Sequence, residues 1–150
     1  MRNLKLAVVI IFTIVLMGCQ GTKQTAPTQV QLGSHSAVTP KDRPKQEWQD
    51  RHNAFVERVK KGNVDLLFIG DSITHGWESK GKDVWQKYYG NRDAVNLGIG
   101  GDSTQHVLWR LDHGEISGIS PKLAIVMIGT NNSNGDYCTS QQIADGIIAI

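Results

Sequence analysis

Apolar residues fall along this chain in three patterns, and each predicts a different kind of element. An unbroken apolar run, Leu6 to Leu16, follows Arg2 and Lys5; it has the length of a signal-peptide core and is too short to span a bilayer comfortably. Farther on, Trp48, His52, Phe55, Val56 and Val59 recur at helical spacing, which predicts an amphipathic helix stopped by Gly62. Three short runs follow, Val64 to Ile69, Ala94 to Leu97 and Leu123 to Ile128, each leading into a glycine-containing loop and then a helical pattern. Strands alternating with helices predict an α/β fold, a doubly wound parallel sheet. The run Leu123 to Ile128 is apolar at every position, which predicts a strand covered on both faces inside a sheet. At Thr139 and Gln142 a capping-box pair predicts a last helix with Ile143, Ile147 and Ile150 as its apolar stripe.

Leu16-Met17-Gly18-Cys19, directly after the first run, resembles the lipobox of bacterial lipoproteins. The resemblance implies a lipoprotein signal peptide over 1–18, acylation of Cys19, and a chain held in the bacterial cell envelope by its lipid. An ordinary cleaved signal with an incidental cysteine is the alternative, and either one exports the protein. Residues 19–44, rich in Gln, Thr, Ser and Pro and without apolar periodicity, read as a flexible tether. The folded domain is then 45–150. With Cys19 acylated, Cys138 has no partner for an internal disulfide, so stability must come from a packed core.

Charge changes the picture once the leader is set aside. Of 16 Lys and Arg, two lie in the leader, and the remaining 14 balance 14 Asp and Glu. A neutral domain gives no electrostatic reason to expect nucleic acid or an anionic membrane surface as partner, because both require basic excess. Membrane contact is expected from lipid on Cys19 alone. The oligomeric state is not legible.

Polar motifs stand at the carboxyl ends of the three predicted strands, where ligands bind in open α/β sheets. The first, Gly70-Asp71-Ser72, puts a hydroxyl in a strand-to-helix turn, so Ser72 is the candidate nucleophile; Asp71 or Ser72 as a plain helix cap is the competing reading. The second, Gly98-Ile99-Gly100-Gly101-Asp102-Ser103, offers backbone amides to an oxyanion, although a glycine turn feeding a helix also suits phosphate. The third, Gly129-Thr130-Asn131-Asn132, offers a side-chain amide, or merely an Asx-type turn. His52 reads as a packed, hydrogen-bonded core residue, and His106 and His113 as surface or packing residues. His75, three residues past Ser72, is near enough to be considered as a base but has no obvious orienting carboxylate.

In this order on these strands, the three motifs resemble the first three sequence blocks of the SGNH (GDSL-type) hydrolases. The stretch Gly98 to Leu111, with Pro121-Lys122 before the third strand, looks like the platelet-activating-factor acetylhydrolase branch of that family. The resemblance implies a three-layer, flavodoxin-like sheet and a serine esterase for small acyl, acetyl-type esters. It further implies Ser72 as nucleophile, the amides of Ser72 and Gly101 and the carboxamide of Asn131 as oxyanion donors, and neither metal nor organic cofactor. It also implies a later Asp-x-x-His block supplying the general base, and no Asp-x-x-His occurs in the 150 residues. The expectation is therefore a fold incomplete at its C-terminal end, with strand order two-one-three, and impaired catalysis. A carbohydrate O-deacetylase, or a non-catalytic truncated lipoprotein, are the alternatives.

Overall fold

The computed structural model describes residues 32–150. The signal run, Cys19 and most of the expected tether lie outside the described residues.

Helix α1, Gln46–Lys60, buries Trp48, His52, Phe55 and Val59, the face its spacing predicts. Glu47 in its first turn and Arg58 and Lys60 in its last oppose the helix dipole with the favourable sign. Strand β1, Leu66–Gly70, leads into the short helix α2, Ser72–His75, and then α3, Lys82–Tyr89. Strand β2, Ala94–Gly98, precedes α4, Thr104–Arg110, and strand β3, Leu123–Met127, precedes α5, Thr130–Asn134, and α6, Ser140–Ala149.

All pairings are parallel and the order is β2-β1-β3, as expected. Registers run from Leu66 opposite Ala94 and Leu123 to Gly70 opposite Gly98 and Met127. The three strands therefore finish level, and the loops that follow them rise from one edge. Alternation along β1 separates two layers of packing. Leu67 and Ile69 join Trp48, Phe55, Val95, Leu97 and Val107 in the main core. Phe68 meets Trp85 and Tyr89 of α3, with ring centroids 4.8 Å away in each case.

β3 pairs with β1 along one edge only, the edge place that the order two-one-three gives it, and Leu123 and Met127 remain 52% and 54% exposed, so the described residues do not supply the cover its apolar run predicts. Two expectations need correction. The folded part starts before residue 45. Ala37, in a 3-10 turn over Ser36–Val38, is fully buried, its carbonyl accepts from Thr104 Oγ1 at 2.7 Å, and His35 Nε2 lies 3.1 Å from Asp145 Oδ2. Finally, the face that α6 buries is centred on Asp145 and Gly146, while Ile147 is 42% exposed. Gly146 permits this, since a Cβ there would stand 2.6 Å from Thr104 Oγ1 and 2.7 Å from the Ala37 carbonyl. Close backbone approach has set the helix's rotation where the apolar stripe alone would have set another. The capping box at Thr139 and Gln142 forms as expected.

Candidate active site

Ser72 occupies the first position of α2, immediately after β1. The cap is supplied by its neighbour: Asp71 Oδ1 accepts from the Ile73 amide at 2.9 Å. Asp71 is buried, whereas Ser72 is exposed and its hydroxyl has no hydrogen-bond partner among the described residues. The two readings of this turn are thus divided between two residues, and the hydroxyl is left free. At the first position of a helix the Ser72 amide has no intrahelical acceptor either.

The loop after β2 closes over that turn. A Cβ built on Gly100 would lie 3.8 Å from both Ser72 Cβ and His75 Nδ1, so the loop passes beside the serine. Gly101 has φ +81°, a left-handed conformation that glycine adopts without strain, and a Cβ there would meet the Arg43 guanidinium at 3.1 Å. The Gly100 amide donates to His75 Nδ1 at 3.3 Å; the Gly101 amide has no partner among the described residues. The third strand end is joined to the same loop, because Asn131 Nδ2 donates to the Asp102 carbonyl at 2.7 Å. A carboxamide carries two N–H groups, and the second is left for another acceptor. Asn132 is turned away and buried, bonded to Thr104 and Gln105. Beside the serine runs a groove of about 530 Å³ between Ile73, Trp77, Lys80 and Met127.

A model of the GDSL-like lipase/acylhydrolase family matches residues 68–150, which hold all three strand-end motifs. The chain belongs to that family. Among GDSL-family relatives, the platelet-activating factor acetylhydrolase IB subunit alpha2 of Homo sapiens is 42% identical over 103 residues, 69% of this chain and 43% of the relative. The alpha1 subunit of Rattus norvegicus is also 42% identical over 103 residues, which is 42% of its length. The chain thus spans less than half the length of these curated relatives. A solved Streptococcus pneumonia protein, described as a platelet activating factor, superimposes with a TM-score of 0.52 at 22% identity, over 67% of this chain and 45% of that one. At that identity the likeness bears on the fold.

His52, His106 and His113 of this GDSL-family chain have structural partners. His52 is buried against Trp48 and Trp109 with Nδ1 2.9 Å from Glu115 Oε1, as its place on the α1 stripe predicts. His106 closes the capping box of α4, where Nδ1 accepts from the Ser103 amide at 2.9 Å, and His113 stacks on Trp109. Burial lowers the His106 imidazole below its ordinary range, against the pull of Asp102. His75 does have a carboxylate nearby, contrary to the sequence reading, since Glu78 Oε2 stands 3.9 Å from Nε2. Its Nδ1 is nonetheless taken by Gly100. Among the described residues no group of three or more His, Cys, Asp or Glu could hold a metal ion.

Asp102 is the residue whose part the sequence concealed. Fully buried, it accepts from Trp48 Nε1 at 2.7 Å, Arg110 Nε at 2.9 Å and Arg43 Nη1 at 3.3 Å. Burial pushes its carboxyl up, while Arg110, Trp48, His106 and Arg43 pull it down. Its side chain thereby fastens the backbone whose carbonyl holds Asn131. Arg43, assigned from composition to the tether, also donates to the Gly100 carbonyl at 3.0 Å. The one signal for it was its place, a charged residue three positions before α1.

Proposed function

We propose that this chain is a serine esterase acting on small acyl, acetyl-type esters, with Ser72 Oγ attacking the carbonyl. The carbonyl oxygen, as it becomes an oxyanion, accepts from the amides of Ser72 and Gly101 and from Asn131 Nδ2. Donors fixed where charge develops stabilise the transition state more than the substrate. The observation that carries the reading is the Asn131 bond to the Asp102 carbonyl, which ties the third strand end to the loop beside a free serine hydroxyl. The groove walled by Ile73, Trp77 and Met127 receives the acyl group. No cofactor takes part in such a step.

A general base is not supplied by these residues. No Asp-x-x-His occurs in them, and His75 Nδ1, on the serine's own helix, already accepts a hydrogen bond from the Gly100 amide. Oxyanion stabilisation without a competent triad leaves about 10³–10⁴ over water. The 150 residues are therefore expected to hydrolyse p-nitrophenyl acetate feebly, and Ser72→Ala to abolish what there is. Hydrolysis unchanged in Ser72→Ala would remove the nucleophile assignment; brisk Ser72-dependent turnover would contradict the missing base. The occupied His75 nitrogen also favours a second reading, in which the site binds a carbonyl or carboxylate without turning it over. Binding of acetate with no Ser72-dependent hydrolysis would select it.

The same reading places the protein in the bacterial cell envelope on a lipid at Cys19, supported by the Leu16–Cys19 motif. Labelled palmitate incorporated by the chain in bacteria and lost in Cys19→Ser tests it; equal labelling of both would contradict it.

A further inference from the structure

The Gly100–Gly101 peptide is held from both sides by charged and polar groups that do not themselves reach the serine. On one side the Gly100 N–H, just before this peptide, donates to His75 Nδ1 at 3.3 Å; on the other, Arg43 Nη1 donates to the Gly100 carbonyl at 3.0 Å. The His75 ring is in turn backed by Glu78, 3.9 Å from Nε2, and Glu78 is fixed by a two-pronged pairing with Arg51 at 2.6 and 3.0 Å. Such bidentate pairs set an angle as well as a distance. Arg51 then returns to the same loop, where Nε donates to the Gly98 carbonyl at 2.9 Å. A circuit therefore runs from α1 through Glu78 and His75 to the Gly98–Gly101 backbone.

We propose that His75 is a positioning residue for the oxyanion donors, its Nδ1 anchoring the Gly100 amide while Glu78 and Arg51 hold the ring and the Gly98 carbonyl. This rests on the esterase reading of Ser72, and it assigns the serine's helical neighbour a part other than that of base. The direction in which the Gly101 amide points is fixed by the orientation of the peptide plane before it. A planar peptide held at its N-terminal residue by an amide bond and at its carbonyl by Arg43 has little freedom to rotate. Donors contribute to catalysis only when held in place before the reaction.

The anchor requires a neutral ring with its proton on Nε2, because Nδ1 must accept. Burial and the neighbouring Arg51 charge hold the imidazole below the ordinary histidine range, with Glu78 pulling the other way. Arg51 from α1, Glu78 from the turn after α2 and Arg43 from the segment before α1 are the charged groups around it. Protonation sets an N–H against the Gly100 N–H, and the bond is lost.

The test is nitrogen-15 nuclear magnetic resonance of the whole chain, titrated from about pH 8 to about pH 5, the span over which a histidine changes charge. The Gly100 and Gly101 amides are expected to shift with the midpoint of the His75 ring, the ring proton to sit on Nε2 at the alkaline end, and both amide titrations to vanish in His75→Phe. On p-nitrophenyl acetate, His75→Phe lowers kcat by about tenfold or more with KM within about twofold, and His75→Gln, whose oxygen accepts, recovers part of it. A flat Gly100 amide while the wild-type ring titrates, or a ring protonated on Nδ1 at the alkaline end, would overturn the proposal. The resonance measurement needs no ester, so failure of the esterase reading shows in Ser72→Ala and not here.

Discussion

Asp71 and Ile73 are joined by a 2.9 Å hydrogen bond from the Ile73 amide to Asp71 Oδ1, and this bond releases Ser72 from structural duty. A serine at the head of a helix ordinarily serves as its cap; here the buried aspartate before it does so. Asp71→Ala is expected to cost about 1 kcal/mol of stability in urea denaturation. Ser72→Ala should stay within about 0.5 kcal/mol of the parent, as a surface change that breaks no bond. Equal losses for the two would mean that the hydroxyl has a structural partner after all.

Gly101→Ala combines two penalties. The residue sits at φ +81°, and the new methyl would press on the Arg43 guanidinium at 3.1 Å. Holding a non-glycine residue there costs about 1–3 kcal/mol. The expected outcome is a lower denaturation midpoint together with loss of Ser72-dependent hydrolysis. A midpoint equal to that of the parent would show that the loop is not held in this conformation in solution.

Arg110 lies fully buried between Asp102, at 2.9 Å, and Glu115. Arg110→Leu leaves two buried carboxylates, of which Asp102 retains Arg43 and Trp48, and Glu115 retains His52. Breaking a buried pair by removing one partner costs about 3–5 kcal/mol. Denaturation should show a loss of that size, and a loss under about 1 kcal/mol would argue that water reaches the cluster.

Legibility in the sequence followed the kind of signal. Strand ends were readable because apolar runs and glycines mark them, their order in the sheet came with the family resemblance, and the register then brings the ends that carry Ser72, Gly101 and Asn131 to one edge. Asp102 was not readable, since a loop aspartate looks solvated until Trp48, on the buried stripe of α1, is known to donate to it from another element. Arg43, Arg51 and Glu78 were missed for the same reason: their partners lie in the β2 loop and the turn after α2, and no local spacing encodes a pairing between distant segments. β3 is a different case, because a wholly apolar run predicts cover without saying what provides it, and the order two-one-three already puts this strand at an edge.

Stability should also depend on pH through His75 and His106, both lowered below the ordinary histidine range, chiefly by burial. A lowered histidine means that the unfolded chain binds its proton first as pH falls, so stability is full above the unfolded value and declines on acidification through the histidine range. His106→Gln keeps an N3 side chain that suits the capping box and removes one titration. Its midpoint between about pH 8 and about pH 5.5 should fall less than that of the parent. Asp102, whose raised carboxyl acts in the opposite direction, is itself drawn down by His106, so the difference in slope reads the two groups together. Identical slopes would contradict the assignment.

Methylboronic acid offers the most direct test of whether Ser72, Gly101 and Asn131 surround one carbonyl-sized spot, since its serine adduct is tetrahedral and places an oxygen where the acetyl oxyanion would form. Titrated into the labelled chain, it is predicted to shift the Gly101 amide and the Asn131 side-chain amide together, and to shift neither in Ser72→Ala. Shifts at one of the two alone, or shifts that persist without the Ser72 hydroxyl, would contradict the account.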